Sequence, residues 1–211
     1  MASTDSFAQS AADAITTINP RFHVVIERSG LCTIGAKRGK SRSGESNFSS
    51  LAASILSQQL STKAAATIIG RVAGLSGGTL QAAKLADITT SRLRSAGCSE
   101  AKARAVKELA RAVVDKKIPI TSLQRMPDEE IMNHLLPLFG IGQWTVEMFL
   151  MFQLGRHDIW PVGDLGVRRG WEKIHRMRTE IEPKALVKLG EKYAPYRSHL
   201  AWYCWRAVEV L

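Results

Sequence analysis

The chain has few cysteines, few acids and no long apolar run, and each shortage excludes a class of protein. Three cysteines, Cys32, Cys98 and Cys204, stand far apart in 211 residues. An odd, dispersed set builds no disulfide framework, and without a CxxC pair it points to no zinc or cluster site. They read as buried or incidental thiols. No stretch reaches the roughly 18 apolar residues that a membrane-spanning helix needs. The segment from Met1 to Asn19 carries early acids and no apolar core of the signal type, so a cytoplasmic protein without a membrane partner is expected. His23, His134, His157, His175 and His199 show no metal-ligand spacing. Acids are outnumbered, 19 against 29 lysines and arginines, for a formal net charge of +10. Such a balance favours polyanionic partners, although a basic enzyme that binds none has about the same claim on charge alone.

What the chain does have is helical periodicity, with 45% hydrophobic residues to build a core. Alternating strands are missing, so the expected class is all-α. Ser10 to Ile18 reads as a short amphipathic helix ended by Asn19 and Pro20. Phe22 to Ile26 alternates weakly, as a short strand or extended arm would. Ala36 to Ser46 is a basic, Gly/Ser-rich loop, fit either to touch a phosphate backbone or to stay solvated. Asn47 is placed to cap a helix bearing Phe48, Leu51, Ala52, Ile55, Leu56 and Leu60 at helical spacing. Further helices are expected over Thr62 to Ala73, Thr79 to Ala86, Thr89 to Ala96, and onward from a Ser99 cap. Pro127 suits a first helical position, with Asp128 to Glu130 complementing the dipole. Helices over Trp144 to Leu154, Asp164 to Ile174, Pro183 to Tyr193 and Tyr196 to Leu211 complete the series. The expected organisation is a segment 1–46 packing with the C-terminal helices, a helical subdomain 47–155, and a final segment 156–211.

The stretch LLPLFGIGQWTVE, from Leu135 to Glu147, joins two apolar helices across Gly140 and Gly142. Two glycines one residue apart allow a sharp turn and a close backbone approach. The first amides of the next helix, near Thr145, are unpaired within it and suit a phosphate. A glycine turn between core helices is the plainer alternative, and GxG alone is weak; the longer pattern LPxxGIGxxT is far more specific. With WPVGDLGVRR from Trp160 to Arg169, SILSQQLS from Ser54 to Ser61, and PYRS from Pro195 running into WYCW at Trp202 to Trp205, the sequence resembles the helix-hairpin-helix DNA glycosylases. Within them the nearest likeness is to 3-methyladenine DNA glycosylase II. The resemblance covers roughly Asn47 to the C-terminus.

The resemblance implies two helical subdomains with a cleft between them, the hairpin at about 131–154, and double-stranded DNA containing damaged bases as partner to a monomeric enzyme. It makes Asp164 the catalytic carboxylate, about twenty residues after the hairpin. By itself an aspartate before a helix is an ordinary N-cap. Members of the family that also cut the strand place a lysine two residues after the last hairpin glycine. Here that residue is Trp144, which implies base release without lyase activity. Trp144, Trp205 and Met148 become candidates for the base pocket; an indole face attracts a cationic alkylated base by about 1–2 kcal/mol. Core packing is the alternative for both tryptophans. Gln58, Gln59, Gly140, Gly142 and Thr145 become DNA contacts, with Gln59 filling the gap left by a flipped base. The backbone carbonyls of Leu136, Leu138 and Ile141 become ligands for a monovalent Na+ or K+. No other cofactor is expected, and no iron–sulfur cluster, because Cys204 stands alone near the C-terminus. The chain departs from the longer relatives in two ways: its first ~45 residues are too few for their N-terminal β-rich domain, and Gly163, not an acid, precedes Asp164. A non-catalytic DNA-binding module and a glycosylase for deaminated or oxidised bases remain as alternatives.

Overall fold

A computed structural model describes residues 4–35 and 44–211, and every regular element among them is helical. In chain order these are α1 (Thr4–Ile18), a 3-10 turn (Pro20–Phe22), α2 (His23–Ser29), α3 (Gly44–Ser57), α4 (Thr62–Leu75), α5 (Ala82–Asp87), α6 (Thr90–Ser95), α7 (Glu100–Val114), α8 (Asp128–Leu135), α9 (Gln143–Met148), a π turn (Phe149–Gln153), α10 (Leu165–His175), α11 (Pro183–Gly190) and α12 (Arg197–Val210), with short 3-10 turns at Leu123–Arg125 and Glu191–Tyr193. The expected basic loop lies almost wholly outside the described residues. No described helix is long and apolar enough to cross a membrane.

The chain divides into two compact units, Ser41–Phe149 and Met1–Lys40 with Leu150–Leu211. This differs from the three segments expected from the sequence. The first segment shares a unit with the last, in the direction of the expected packing of 1–46 with the C-terminal helices, while the inner boundary falls at Phe149/Leu150 rather than at 155/156. Phe149, Leu150 and Met151 are all buried, so no change in polarity marks the place where the chain passes from one unit to the other.

In the unit Ser41–Phe149, α3 and α7 carry the core. Phe48, Leu51, Ala52, Ile55 and Leu56 of α3 are buried, as are Ala103, Val106, Leu109 and Ala110 of α7. Side-chain caps start three helices: Ser61 accepts from the Ala64 N–H, Thr89 from Arg92 and Ser99 from Lys102. Asn47 does not cap α3. It lies within that helix, buried, and its amide donates to the Ile120 carbonyl at 3.0 Å, where a buried amide needs a partner. Pro127 stands one position earlier than expected, as the residue before α8, its ψ of 149° extended. α5 starts at Ala82 rather than Thr79, because Ser76 bonds to the Thr79 carbonyl and Gly77 and Gly78 turn the chain first.

In the other unit the expected strand at Phe22 to Ile26 is helical. Asn19 accepts from the Arg21 N–H and Pro20 opens the 3-10 turn; proline's fixed φ suits a helix start. Phe22 is buried, 6.0 Å from Trp171 and 6.3 Å from Tyr193 between ring centres. α10 crosses α12 at Gly170, where a Cβ would lie 1.8 Å from the Cys204 carbonyl oxygen. Cys32, Cys98 and Cys204 are free, buried thiols, and burial pushes Cys204 up and Cys32 up to about 12. His199 is buried with one ring nitrogen 3.1 Å from His157 and the other without a hydrogen-bond partner. Burial, then the neighbouring His157, lowers its pKa from 6.5 to about 4.

Two outcomes follow from this packing. Gly170→Ala forces α10 off α12 and destabilises the protein by at least about 3 kcal/mol, as overpacking against rigid backbone does; urea unfolding measures it. His199 stays neutral in the fold, so its contribution to stability is complete above pH 6.5 and is lost as the pH falls towards 4. The loss is of order 3 kcal/mol, and unfolding curves of the wild type and of His199→Phe at pH 7.5 and 4.5 isolate it from the effect of the carboxylates.

Candidate active site

The glycine turn closes α8 onto α9. The Leu138 N–H donates to Leu135, and the Ile141 N–H donates to Leu138 at 3.2 Å. Gly140 has φ +79°, and a Cβ there would lie 2.6 Å from the Ala105 Cβ. Glycine is required twice over, for the left-handed backbone and for the close approach to α7. Gly142 precedes α9 with no side-chain cap, and the first backbone N–H groups of a helix lack acceptors four residues earlier within it. The Glu108 carboxylate accepts from the Phe139 N–H, and the Arg104 guanidinium lies 4.0 Å over the Phe139 ring.

The side chains around the turn divide sharply. Trp144 is 47% exposed and Met148 is half-buried. Thr145 is buried, and its hydroxyl accepts from the Gln58 amide at 3.3 Å, so its side chain serves the interior while its backbone N–H faces the helix start. Gln58 also donates to the Gly140 carbonyl at 3.0 Å. Its Nε2 therefore braces the hairpin. Gln59 follows in the left-handed region at φ +58°. The carbonyls of Leu136, Leu138 and Ile141 belong to this turn, and that of Leu138 already takes the Ile141 N–H.

Asp164 lies in the unit that contains α10, and it caps that helix. Its Oδ1 accepts from the Val167 N–H at 2.8 Å and from the Trp205 indole N–H at 2.8 Å. The loop before it is braced: Asp164 N–H donates to the Pro161 carbonyl, and Trp160 donates to the Leu186 carbonyl at 2.9 Å. A Cβ on Gly190 would lie 2.2 Å from the Trp160 indole nitrogen. Trp205 stacks on Phe152, ring centres 5.7 Å apart and planes 29° apart, and Phe152 is 57% exposed. The result is a fixed, half-buried carboxylate beside an accessible aromatic pair. Such a group can stabilise developing positive charge at short range without reorganising.

Asp164, Trp205, Trp144 and the hairpin glycines are the candidates of the sequence; Phe152 and Gly166 are not among them. A Cβ on Gly166 would lie 2.8 Å from Trp205 Cδ1 and 3.1 Å from Asp164 Oδ1. Its sequence signal is a glycine two residues past a capping aspartate, where an ordinary helix would carry a side chain. Among the described residues no cluster of three or more histidine, cysteine or acidic side chains is placed to hold a metal ion.

Comparison with known proteins gives a consistent answer. The family model for HhH-GPD superfamily base excision DNA repair proteins matches residues 52–195. DNA-3-methyladenine glycosylase 1 of Schizosaccharomyces pombe is 34% identical over 162 residues, covering 75% of this chain and 71% of that one. A DNA-3-methyladenine glycosidase from Bacillus halodurans superposes with a TM-score of 0.78 at 34% identity, covering 93% of this chain and 88% of that one. The structure of the S. pombe 3-methyladenine DNA glycosylase in complex with abasic DNA superposes with a TM-score of 0.76 at 29% identity, covering 93% and 95%.

Gly166→Ala is expected to break the Asp164–Trp205 bond. A hydrogen bond to a charged group is worth about 1.5–3 kcal/mol. In proton NMR the Trp205 indole N–H should lose its protection from exchange, while the other indole N–H signals hold theirs.

Proposed function

The chain belongs to the HhH-GPD superfamily of base excision DNA repair proteins, and on that premise we propose that it is a monofunctional DNA glycosylase that hydrolyses the bond between an alkylated base and its sugar. The observation that carries this reading is the Asp164 carboxylate, pinned through one oxygen by the Val167 N–H and the Trp205 indole. A base inside a duplex must be flipped out before its bond can be reached. As that bond breaks, the sugar gains oxocarbenium character, which a fixed carboxylate stabilises while a water adds to C1′. Alkylated purines of the 3-methyladenine and 7-methylguanine type are cationic and leave readily, so one carboxylate is enough.

The aromatic residues suit such bases. Trp205 and Phe152 form a stacked pair beside Asp164, and on the hairpin unit Trp144 offers an exposed indole face with Met148 behind it on the same helix. An indole attracts a cationic base more strongly than its neutral parent. Trp144 also occupies the position at which strand-cutting members of the superfamily carry their lysine nucleophile, so no Schiff base forms there and the product is an abasic site. Gly140, Gly142 and the backbone N–H of Thr145 grip the phosphate backbone at the start of α9, aided by the net charge of +10. Gln59 fills the space left by the flipped base. The carbonyls of Leu136, Leu138 and Ile141 form an all-oxygen set that fits a hard monovalent cation, Leu138 through its second lone pair. When bound, that cation would add positive charge beside the phosphate.

Asp164→Asn tests the reading on methylated duplex DNA. The wild type should release free 3-methyladenine or 7-methylguanine. The variant should bind the duplex within a few-fold of wild type and release base at least about 100-fold more slowly. Borohydride should trap no covalent adduct with either protein. Equal release by the two proteins overturns the role of Asp164. Salt-sensitive binding with no release from any lesion identifies a DNA-binding module instead.

A further inference from the structure

Lys102 lies on α7 and belongs to none of the assignments above. Its backbone N–H is held by the Ser99 cap at 3.2 Å, which fixes the root of the side chain. Its ammonium donates to two carbonyls, Leu56 at 2.8 Å and Gln58 at 2.7 Å. The Leu56 carbonyl is in the last turn of α3, where a cation complements the helix dipole. The Gln58 carbonyl is not helical: it lies in the turn past the end of α3 at Ser57. Helix capping alone explains the first bond and leaves the second unexplained.

The second bond has a geometric consequence. The Gln58 carbonyl and the Gln59 N–H share one rigid peptide plane. Anchoring that carbonyl orients the plane and thereby the entry to Gln59, whose φ is +58°. An L residue with a side chain resists this region by about 1–2 kcal/mol, and such strain persists only where the surroundings over-determine it. The same residue, Gln58, reaches the hairpin through its side chain, donating to the Gly140 carbonyl at 3.0 Å and the Thr145 hydroxyl at 3.3 Å. One ammonium therefore holds a residue whose backbone sets Gln59 and whose side chain sets the hairpin.

We propose that Lys102 is a positioning residue that presents Gln59 to DNA and couples that presentation to the hairpin turn, so that it controls occupation of the gap behind a flipped base rather than bond cleavage. The inference deepens the glycosylase reading and rests on the placement of Gln59 within it. Burial lowers the pKa of Lys102, while the two carbonyl contacts favour its charged form.

The test separates the two ideas. A duplex with 2-aminopurine opposite a tetrahydrofuran abasic analogue reports gap filling by fluorescence, whether or not any base is cleaved. Lys102→Met should weaken the preference for this duplex over an intact one by about tenfold, a coupling of the size found between contacting residues. In a Gln59→Ala background the same substitution should cost less than about twofold, because its effect runs through Gln59. Lys102→Arg, which keeps a charged donor, should restore most of the preference. Thermal unfolding of each variant is measured alongside; if Lys102→Met does not fold, Lys102→Gln enters the same cycle. Wild-type preference in Lys102→Met, or equal losses in the presence and absence of Gln59, overturns the proposal. Base release by the wild type from methylated duplex is scored separately and bears only on the glycosylase reading.

Discussion

In the unit that holds α10 and α12, one oxygen atom joins the two helices. Asp164 Oδ1 takes both the Val167 N–H that opens α10 and the indole N–H of Trp205 from α12. An N-cap bond of the ordinary kind contributes about 1 kcal/mol to a helix. Here the same bond also aims a carboxylate, and the second donor ties that aim to another helix. Neighbouring residues make room for the arrangement: Gly166 leaves space for the Trp205 ring, Gly170 lets α10 approach the α12 backbone, and Gly190 leaves space for Trp160 at the root of the Asp164 loop. Each of these glycines is needed for what stands opposite it, and none of the three has a left-handed φ.

The hairpin unit solves a different problem, which is to hold a turn rigid without capping side chains. Gly140 presses against Ala105, Glu108 takes the Phe139 N–H, and Gln58 spans the Gly140 carbonyl and the Thr145 hydroxyl. Polar groups drawn from α7 and from the end of α3 thus satisfy the inner side of the turn. Lys102 extends the same scheme to the turn that carries Gln59.

Much of this was legible in the sequence. Most helices from α3 to α12 were readable because apolar spacing, Ser99 at a cap position, and the Pro and Gly breaks agree. Asp164 before α10 and the paired glycines of the hairpin could be placed for the same local reasons. The misreadings had local causes as well. Phe22 to Ile26 alternates like a strand, but Asn19 and Pro20 start a helical turn just before it. Asn47 resembles a cap, yet its amide is used in the core by the distant Ile120 carbonyl. The side chains of Gln58 and Thr145 bond to each other, a pairing that no local pattern announces.

By itself the sequence determined the helical class and the glycine turn, because those follow from spacing along the chain; Asp164 and the tryptophans were singled out as candidates by resemblance. Only the tertiary structure decided what surrounds them. Asp164 meets Trp205 41 positions away, Gln58 meets Gly140 82 positions away, and the first and last stretches of the chain share one unit. Contacts at such separations depend on how helices pack, and helix packing is set by volumes and clashes in three dimensions. No period in the sequence carries that information, so the partners of a site residue emerge only when the chain is folded.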